Sequence, residues 1–315
     1  ENIEIAIHDY DIIVGRPTPG VIGACTSIDV AGNYIPDIWK DASEVNLTLN
    51  ARAGLDPESV EILRESARVF GGKTAPEMTE KAWEAAAGTW SKDATEAKVK
   101  DPTLDAAIFG QVTSVLMWSK ILSRGLKSFM EEAQTHIDAF QNNMEKDVDK
   151  LYFWQSTIIA CEAVINHSRR YAALAKEMAE KEADSTRKAL LLEIAEICNY
   201  VPENPARTFH EALQSMAIVN VCKMLEHPMQ NNCHWGRGDQ YLYPYFMKDM
   251  QNGTITLEKA ADLLAELVGR WGTQTFVSGE SQKESHQINF GINNVLLGGV
   301  NKDGVDASNE LSSLF

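Results

Sequence analysis

The sequence predicts a helix-rich α/β fold, and three features carry that reading. Apolar residues recur at Leu151, Trp154, Ile158, Cys161, Val164, Ile165, Leu174 and Met178, the 3, 4, 7 spacing of a long amphipathic helix over 147–181. Thr208 and Glu211 stand three apart ahead of a second apolar run, so each side chain can reach the other's amide and open a helix as a capping box. Short apolar runs, Ile12-Ile13-Val14 before Gly15 and another over 294–300, supply strand material between the helices.

Taken in order, residues 1–15 alternate apolar and polar and read as a strand that turns at Arg16-Pro17. Glycine and proline punctuate 16–55, which is expected to be irregular with short elements. Helices are expected from Asp56-Pro57 through Val60, Leu63 and Ala67 to Phe70, closed by Gly71-Gly72, and over 75–87, where Trp83 and Ala86 would pack. The run 100–118 turns apolar, and Ile121 begins a helix towards Met144. Beyond 147–181, Asp184-Ser185 caps a helix over 186–199 that ends before Pro202. Pro205 and the Thr208 box set the next helix, which runs through Leu213, Met216, Ala217 and Val221. A polar and aromatic segment, Asn231 to Trp235, leads to Gly236-Arg237-Gly238-Asp239-Gln240-Tyr241, where Asp239 is placed to cap a helix carrying Tyr241 to Met250. Asn252-Gly253 is a turn, and Thr256 starts a helix whose apolar face is Leu257, Ala260, Ala261, Leu264, Leu267, Val268 and Trp271. The segment 272–293 reads as a loop, 294–300 as a short buried strand, Asp303-Gly304 as a turn and Asp306 as the cap of a last helix.

Composition narrows the function. The 315 residues are 44% hydrophobic and 23% charged, which is globular usage, and the net charge of -16 argues against nucleic acid and anionic membrane partners. No apolar run approaches the ~18 residues of a membrane helix, and Glu1 heads no basic, apolar leader, so a cytoplasmic location is expected. Five widely spaced cysteines without a Cys-x-x-Cys pair fit reduced thiols, with Cys161 and Cys198 as small core residues. Cys233, His234 and His227 match no metal-ligand spacing, and no metal is expected. His210 and His167 read as satisfied helical histidines. The adhesion tripeptide Arg237-Gly238-Asp239 is discounted because it falls inside a packed junction.

Four runs resemble the glycyl radical enzymes related to pyruvate formate-lyase. They are Asp11-Ile-Ile-Val-Gly15, Pro205-Ala-Arg-Thr-Phe-His-Glu-Ala-Leu-Gln214, Gly236-Arg-Gly-Asp-Gln-Tyr-Leu-Tyr-Pro-Tyr245 and Leu297-Gly-Gly-Val-Asn-Lys-Asp-Gly-Val-Asp-Ala-Ser-Asn-Glu-Leu311. Ser119-Lys-Ile-Leu-x-x-Gly125 is similar to a further segment of that family, and the order and rough spacing agree over nearly the whole chain.

The resemblance implies a ten-stranded β/α barrel wrapped in helices, of which 1–315 is the N-terminal portion. The family's thiyl-forming cysteine motif and its C-terminal radical-glycine motif are absent from the 315 residues. No catalytic residue is therefore expected in this chain, which would bind no cofactor, the glycyl radical residing on a residue outside it. The implied partners are an S-adenosylmethionine radical activating enzyme, a small-molecule substrate and further copies in a homodimer or larger oligomer. The family pattern assigns substrate contact to Asn231 and Asn232, beside His234, and aligns Thr113, Met117 and Trp118 where relatives carry a histidine, an acid and a tyrosine. The loss of charge there favours an aryl or alkyl group. Arg237, Asp239 and Gln240 are expected to hold the junction together. The expected reaction is decarboxylation of an arylacetate. The alternatives are a synthase adding a hydrocarbon to fumarate, a dehydratase or C–N lyase, and an inactive helical scaffold.

Overall fold

A computed structural model describes residues 4–16, 19, 23–25, 114–143, 147–226, 233–272, 274–276 and 295–315. The helices expected over 56–70 and 75–87 lie outside the described residues, as do Thr113, Asn231 and Asn232.

In chain order the elements are β1 (Gly23–Cys25), β2 (Ser114–Val115), α1 (Trp118–Asn143), α2 (Val148–Lys181), α3 (Ser185–Tyr200), α4 (Phe209–Glu226), β3 (Cys233–His234), α5 (Gly238–Tyr241), α6 (Tyr243–Asn252), α7 (Leu257–Gly272), β4 (Gln274–Phe276) and α8 (Glu310–Leu314). β1 pairs with β4 and β2 with β3, both in parallel, the pairing that helical crossovers produce. The expected loop after 272 thus opens with a strand.

The helices form where periodicity and caps place them. Asp184 caps α3 by accepting from the Arg187 amide, Thr256 accepts from the Lys259 amide at the start of α7, and Gly253 closes α6 in the left-handed conformation at φ 67°. The box at α4 is half made. Thr208 Oγ1 accepts from the Glu211 amide, but the Glu211 carboxylate is held by the Arg207 amide and guanidinium instead of reaching the Thr208 amide. On α7, Ala260, Leu264, Leu267 and Trp271 are buried as expected, whereas Leu257 and Val268 are exposed.

The described part of the N-terminal segment, 4–16, is not a strand. Its backbone groups are taken by helix side chains. Gln214 on α4 accepts from the Val14 amide at 2.8 Å and donates to the Val14 carbonyl at 2.7 Å, the pair of bonds a neighbouring strand would make. Arg187 donates to the carbonyls of His8 and Asp11, and His210 Nε2 meets the carbonyl of Ile12 at 2.9 Å. Asp11, fully buried, binds Arg270 at 2.8 Å and Arg16 at 3.1 Å, and Arg270 also pairs with Glu266. Removing one partner of such a group strands a buried charge.

α1 breaks at Gly125, at φ 70° and ψ 158°. The break lets Leu126 and Lys127 donate to the carbonyls of Pro202 and Glu203, while Ala206 donates back to Leu122. A Cβ at 125 would stand 2.5 Å from Glu203 O and Asn204 C. Gly125→Ala should therefore cost about 3 kcal/mol or more in urea denaturation, since both backbone strain and a backbone clash are imposed. Gly253→Ala, equally left-handed at φ 67° but with open space around it, should cost only about 1 kcal/mol.

His167 on α2 is buried edge-on against Tyr171, at 5.3 Å between ring centroids. Burial, with the Arg170 cation second, pulls its pKa from 6.5 down to about 4. The folded state thus resists a proton that the unfolded chain accepts below 6.5, and stability falls as pH drops from there towards 4. Between pH near 7 and pH near 5 the loss from this group should be about 2 kcal/mol. His167→Phe should lose that much less over the same interval, read from urea midpoints of variant and wild type.

Candidate functional site

β2 and β3 bring together two stretches that lie over 100 residues apart in sequence and that the sequence marked separately. Ser114 stands opposite Cys233 and Val115 opposite His234. Gly236 continues the ribbon by a parallel bridge to Val295, with the Leu296 amide donating to its carbonyl at 2.8 Å.

Successive strand residues face opposite sides, and cross-strand partners share one. Val115 and His234 therefore lie on one face, and Trp235 turns to the other. Trp235 is fully buried, 4.5 Å from Trp271 and edge-on to Phe315 at 5.4 Å. Trp118 joins the same stack, 6.1 Å from Trp271, and donates its indole N–H to the carbonyl of His234 at 3.3 Å. The other face is open, with Val115 54% and Met117 59% exposed against 1% for Trp118. A tight turn, in which the Trp118 amide donates to Leu116 O at 2.7 Å, separates the two neighbours.

These placements sort the expected site residues. Met117 lies on the open side, and Trp118 sits behind the ribbon in the core, so the two do not form one wall. Thr113, Asn231 and Asn232 are outside the described residues. Val115 was missed, although assigning 112–118 as a strand would have separated its side from that of Ser114 and Leu116. His234 is half-buried, and its Nδ1 has no hydrogen-bond partner among the described residues. Burial first, then the Lys223 cation, lowers its pKa, so the ring is neutral at neutral pH. Two apolar side chains and a neutral imidazole can hold a substrate by contact and hydrogen bonding, without an ion pair.

Behind the ribbon, Arg237 donates to the carbonyls of Gly298 at 2.6 Å and Val300 at 3.0 Å, and Gln240 donates to Ala307 O at 2.8 Å. Gly298 and Gly299 both have positive φ, so the described part of the expected strand, 295–300, bends around the guanidinium and is not a buried strand; Leu296, Leu297 and Val300 are exposed. Asp239 does not cap a helix. Its Oδ2 accepts from the Gly298 amide at 2.6 Å and from Ser312 Oγ at 2.5 Å. Asp306 accepts from Ser308, and the true cap of α8 is Asn309, in a reciprocal box with Ser312. Gly238 and Asp239 are buried, so the tripeptide presents no adhesion loop.

Elsewhere the ionisable groups serve one another. An open cleft of about 420 Å³ between α3, α4 and α6 is lined by Glu193, Arg207, His210, Glu211, Lys248 and Asp249. Arg207 pairs with Glu211, His210 with Glu193, Lys248 binds Arg207 O, and Asp249 accepts from the Phe209 amide. Burial pushes the Cys198 and Cys222 thiols up to about 12, which leaves both inert. Among the described residues no group of three or more His, Cys, Asp or Glu is placed to hold a metal ion, and no helix is long and apolar enough to cross a membrane.

The family model of pyruvate formate lyase-like proteins matches residues 1–315. The chain belongs to that family. It is 33% identical over 334 residues to an isethionate sulfite-lyase of Nitratidesulfovibrio vulgaris, an alignment covering 100% of this chain and 38% of that protein. An indoleacetate decarboxylase of Tractidigestivibacter scatoligenes is 30% identical over 192 residues, 61% of this chain and 22% of that protein. A glycyl radical enzyme from Archaeoglobus fulgidus superposes with a TM-score of 0.84 at 30% identity, over 99% of this chain and 39% of its own. A structure of 1,2-propanediol dehydration in Roseburia inulinivorans superposes with a TM-score of 0.86 at 27% identity, over 99% of this chain and 36% of its own. This pyruvate formate lyase-like chain thus spans under two-fifths of the length of the proteins it resembles over its whole extent.

In this family member the Asp239 carboxylate ties α5 to the 295–315 segment. Asp239→Ala should destabilise the fold by about 2–3 kcal/mol, the range for losing bonds to a buried charged acceptor. Hydrogen exchange at the Gly298 amide should accelerate more than at amides within α2.

Proposed function

We propose that this chain is the N-terminal part of a glycyl radical lyase and that the face bearing Val115, Met117 and His234 is one wall of its substrate chamber. The parallel pairing of β2 with β3 carries the reading, because Ser114–Val115 and Cys233–His234, which adjoin the expected substrate contacts, lie side by side. The run from β2 through β3 and Gly236 to Val295 also supports a β/α barrel, with parallel strands lining an interior and helices packed outside. The radical, supplied by a residue outside this chain and installed by an S-adenosylmethionine radical activase, provides hydrogen-atom abstraction. This chain's side chains enclose the substrate, orient it and keep water out.

Relatives named for loss of sulfite or water match the whole chain, which supports departure of a leaving group from a small substituted substrate. A second reading, decarboxylation of an arylacetate, is supported by the uncharged Val115 and Met117 and by the indoleacetate decarboxylase match. The test is anaerobic activation of the full-length protein with its activase. A glycyl signal in electron paramagnetic resonance is expected, with turnover of isethionate, 1,2-propanediol or trans-4-hydroxy-L-proline. Turnover confined to indoleacetate or phenylacetate selects the second reading. Absence of the signal overturns both and leaves a helical scaffold.

A further inference from the structure

We propose that Trp118 is a positioning residue of the substrate chamber, acting through the backbone carbonyl of His234 without touching substrate. The inference rests on the lyase reading, which makes the open face of the ribbon a chamber wall. Its ring is 1% exposed and its single polar atom donates to His234 O. Burial takes the indole N–H out of water, and the acceptor it finds is a backbone carbonyl of the ribbon, whereas a phenyl ring would fill most of the same volume and leave that carbonyl unheld.

The ribbon needs such a brace. β2 and β3 contribute two residues each, so few backbone bonds fix their register. A slip of one residue reverses the face of every side chain, turning the His234 imidazole towards the core and Trp235 towards the open side. The indole bond fixes one carbonyl of β3 to the first residue of α1. Trp271 on α7 holds the Trp118 ring at 6.1 Å and the Trp235 ring at 4.5 Å, so Trp235 and the indole bonded to its neighbour His234 pack against the same helix. Trp118 thereby decides which side chains the chamber receives, Val115 and His234 among them.

The test is Trp118→Phe in the full-length protein, with Phe246→Leu in the same core cluster as the packing control, because it leaves all three tryptophans in place. If the phenylalanine does not fold, β-(3-benzothienyl)alanine at 118 keeps the bicyclic ring without the N–H. Hydrogen exchange at the 233–236 amides should accelerate about fivefold with either replacement, the effect of one net hydrogen bond, with the middle of α1 unchanged. With a substrate that the wild type turns over, KM should rise about fivefold while kcat and glycyl radical content hold. Phe246→Leu should lower the melting temperature without that pattern. Unchanged exchange at 233–236, or identical changes in the Trp118 and Phe246 variants, overturns the proposal. If the wild type turns over nothing, the lyase reading fails by itself, and the exchange comparison still decides whether Trp118 sets the ribbon.

Discussion

The proposed functional surface depends on a ribbon of two short parallel strands seated on three tryptophans. Strands of two residues have little stability of their own, because only a few backbone bonds and side-chain contacts hold them. The stack of Trp118, Trp235 and Trp271 supplies the missing support. These are among the largest fully buried side chains described, and each comes from a different part of the chain. Burying them on one side of the ribbon frees the other side to carry Val115, Met117 and His234. Apolar burial and site formation are therefore two faces of one arrangement.

A second device serves the periphery. Where the chain is extended and has no strand neighbour among the described residues, side chains on the helices complete its hydrogen bonds. Gln214 does so for Val14, and Arg187 and His210 do so for the carbonyls of His8, Asp11 and Ile12. Arg237, Asp239 and Gln240 repeat the pattern for the segment that follows Val295. In both places irregular backbone is fixed in position without a sheet, since these side chains bond its amides and carbonyls.

The helices were legible in the sequence because their periodicity and caps are local. Asp184, Thr256 and Gly253 act within a few residues of themselves, so their roles can be read from spacing. The strands were not legible in this way. β1 and β4 are three residues each, and their partners are fixed by tertiary structure across most of the chain. The extended 4–16 segment looks like a strand because Gln214, some 200 positions away, replaces the strand neighbour. Asp239 and Asp306 were read as caps, but long-range acceptance by Asp239 and a local turn at Asp306 took their carboxylates. The candidate site reads in the sequence as two stretches, which the described β2 and β3 adjoin. Which residue of each faces the open side was not legible, because Met117 and Trp118 are adjacent in sequence and only the turn between them sends one out and the other in.

The most direct measurement is a crystal structure of the intact protein with substrate or a substrate analogue bound. The account predicts carbon atoms of the ligand within about 4 Å of Val115 or Met117, with the Trp118 ring shielded behind the ribbon. A ligand packed on the indole of Trp118, or one bound against a β2 segment not paired with β3, would contradict it.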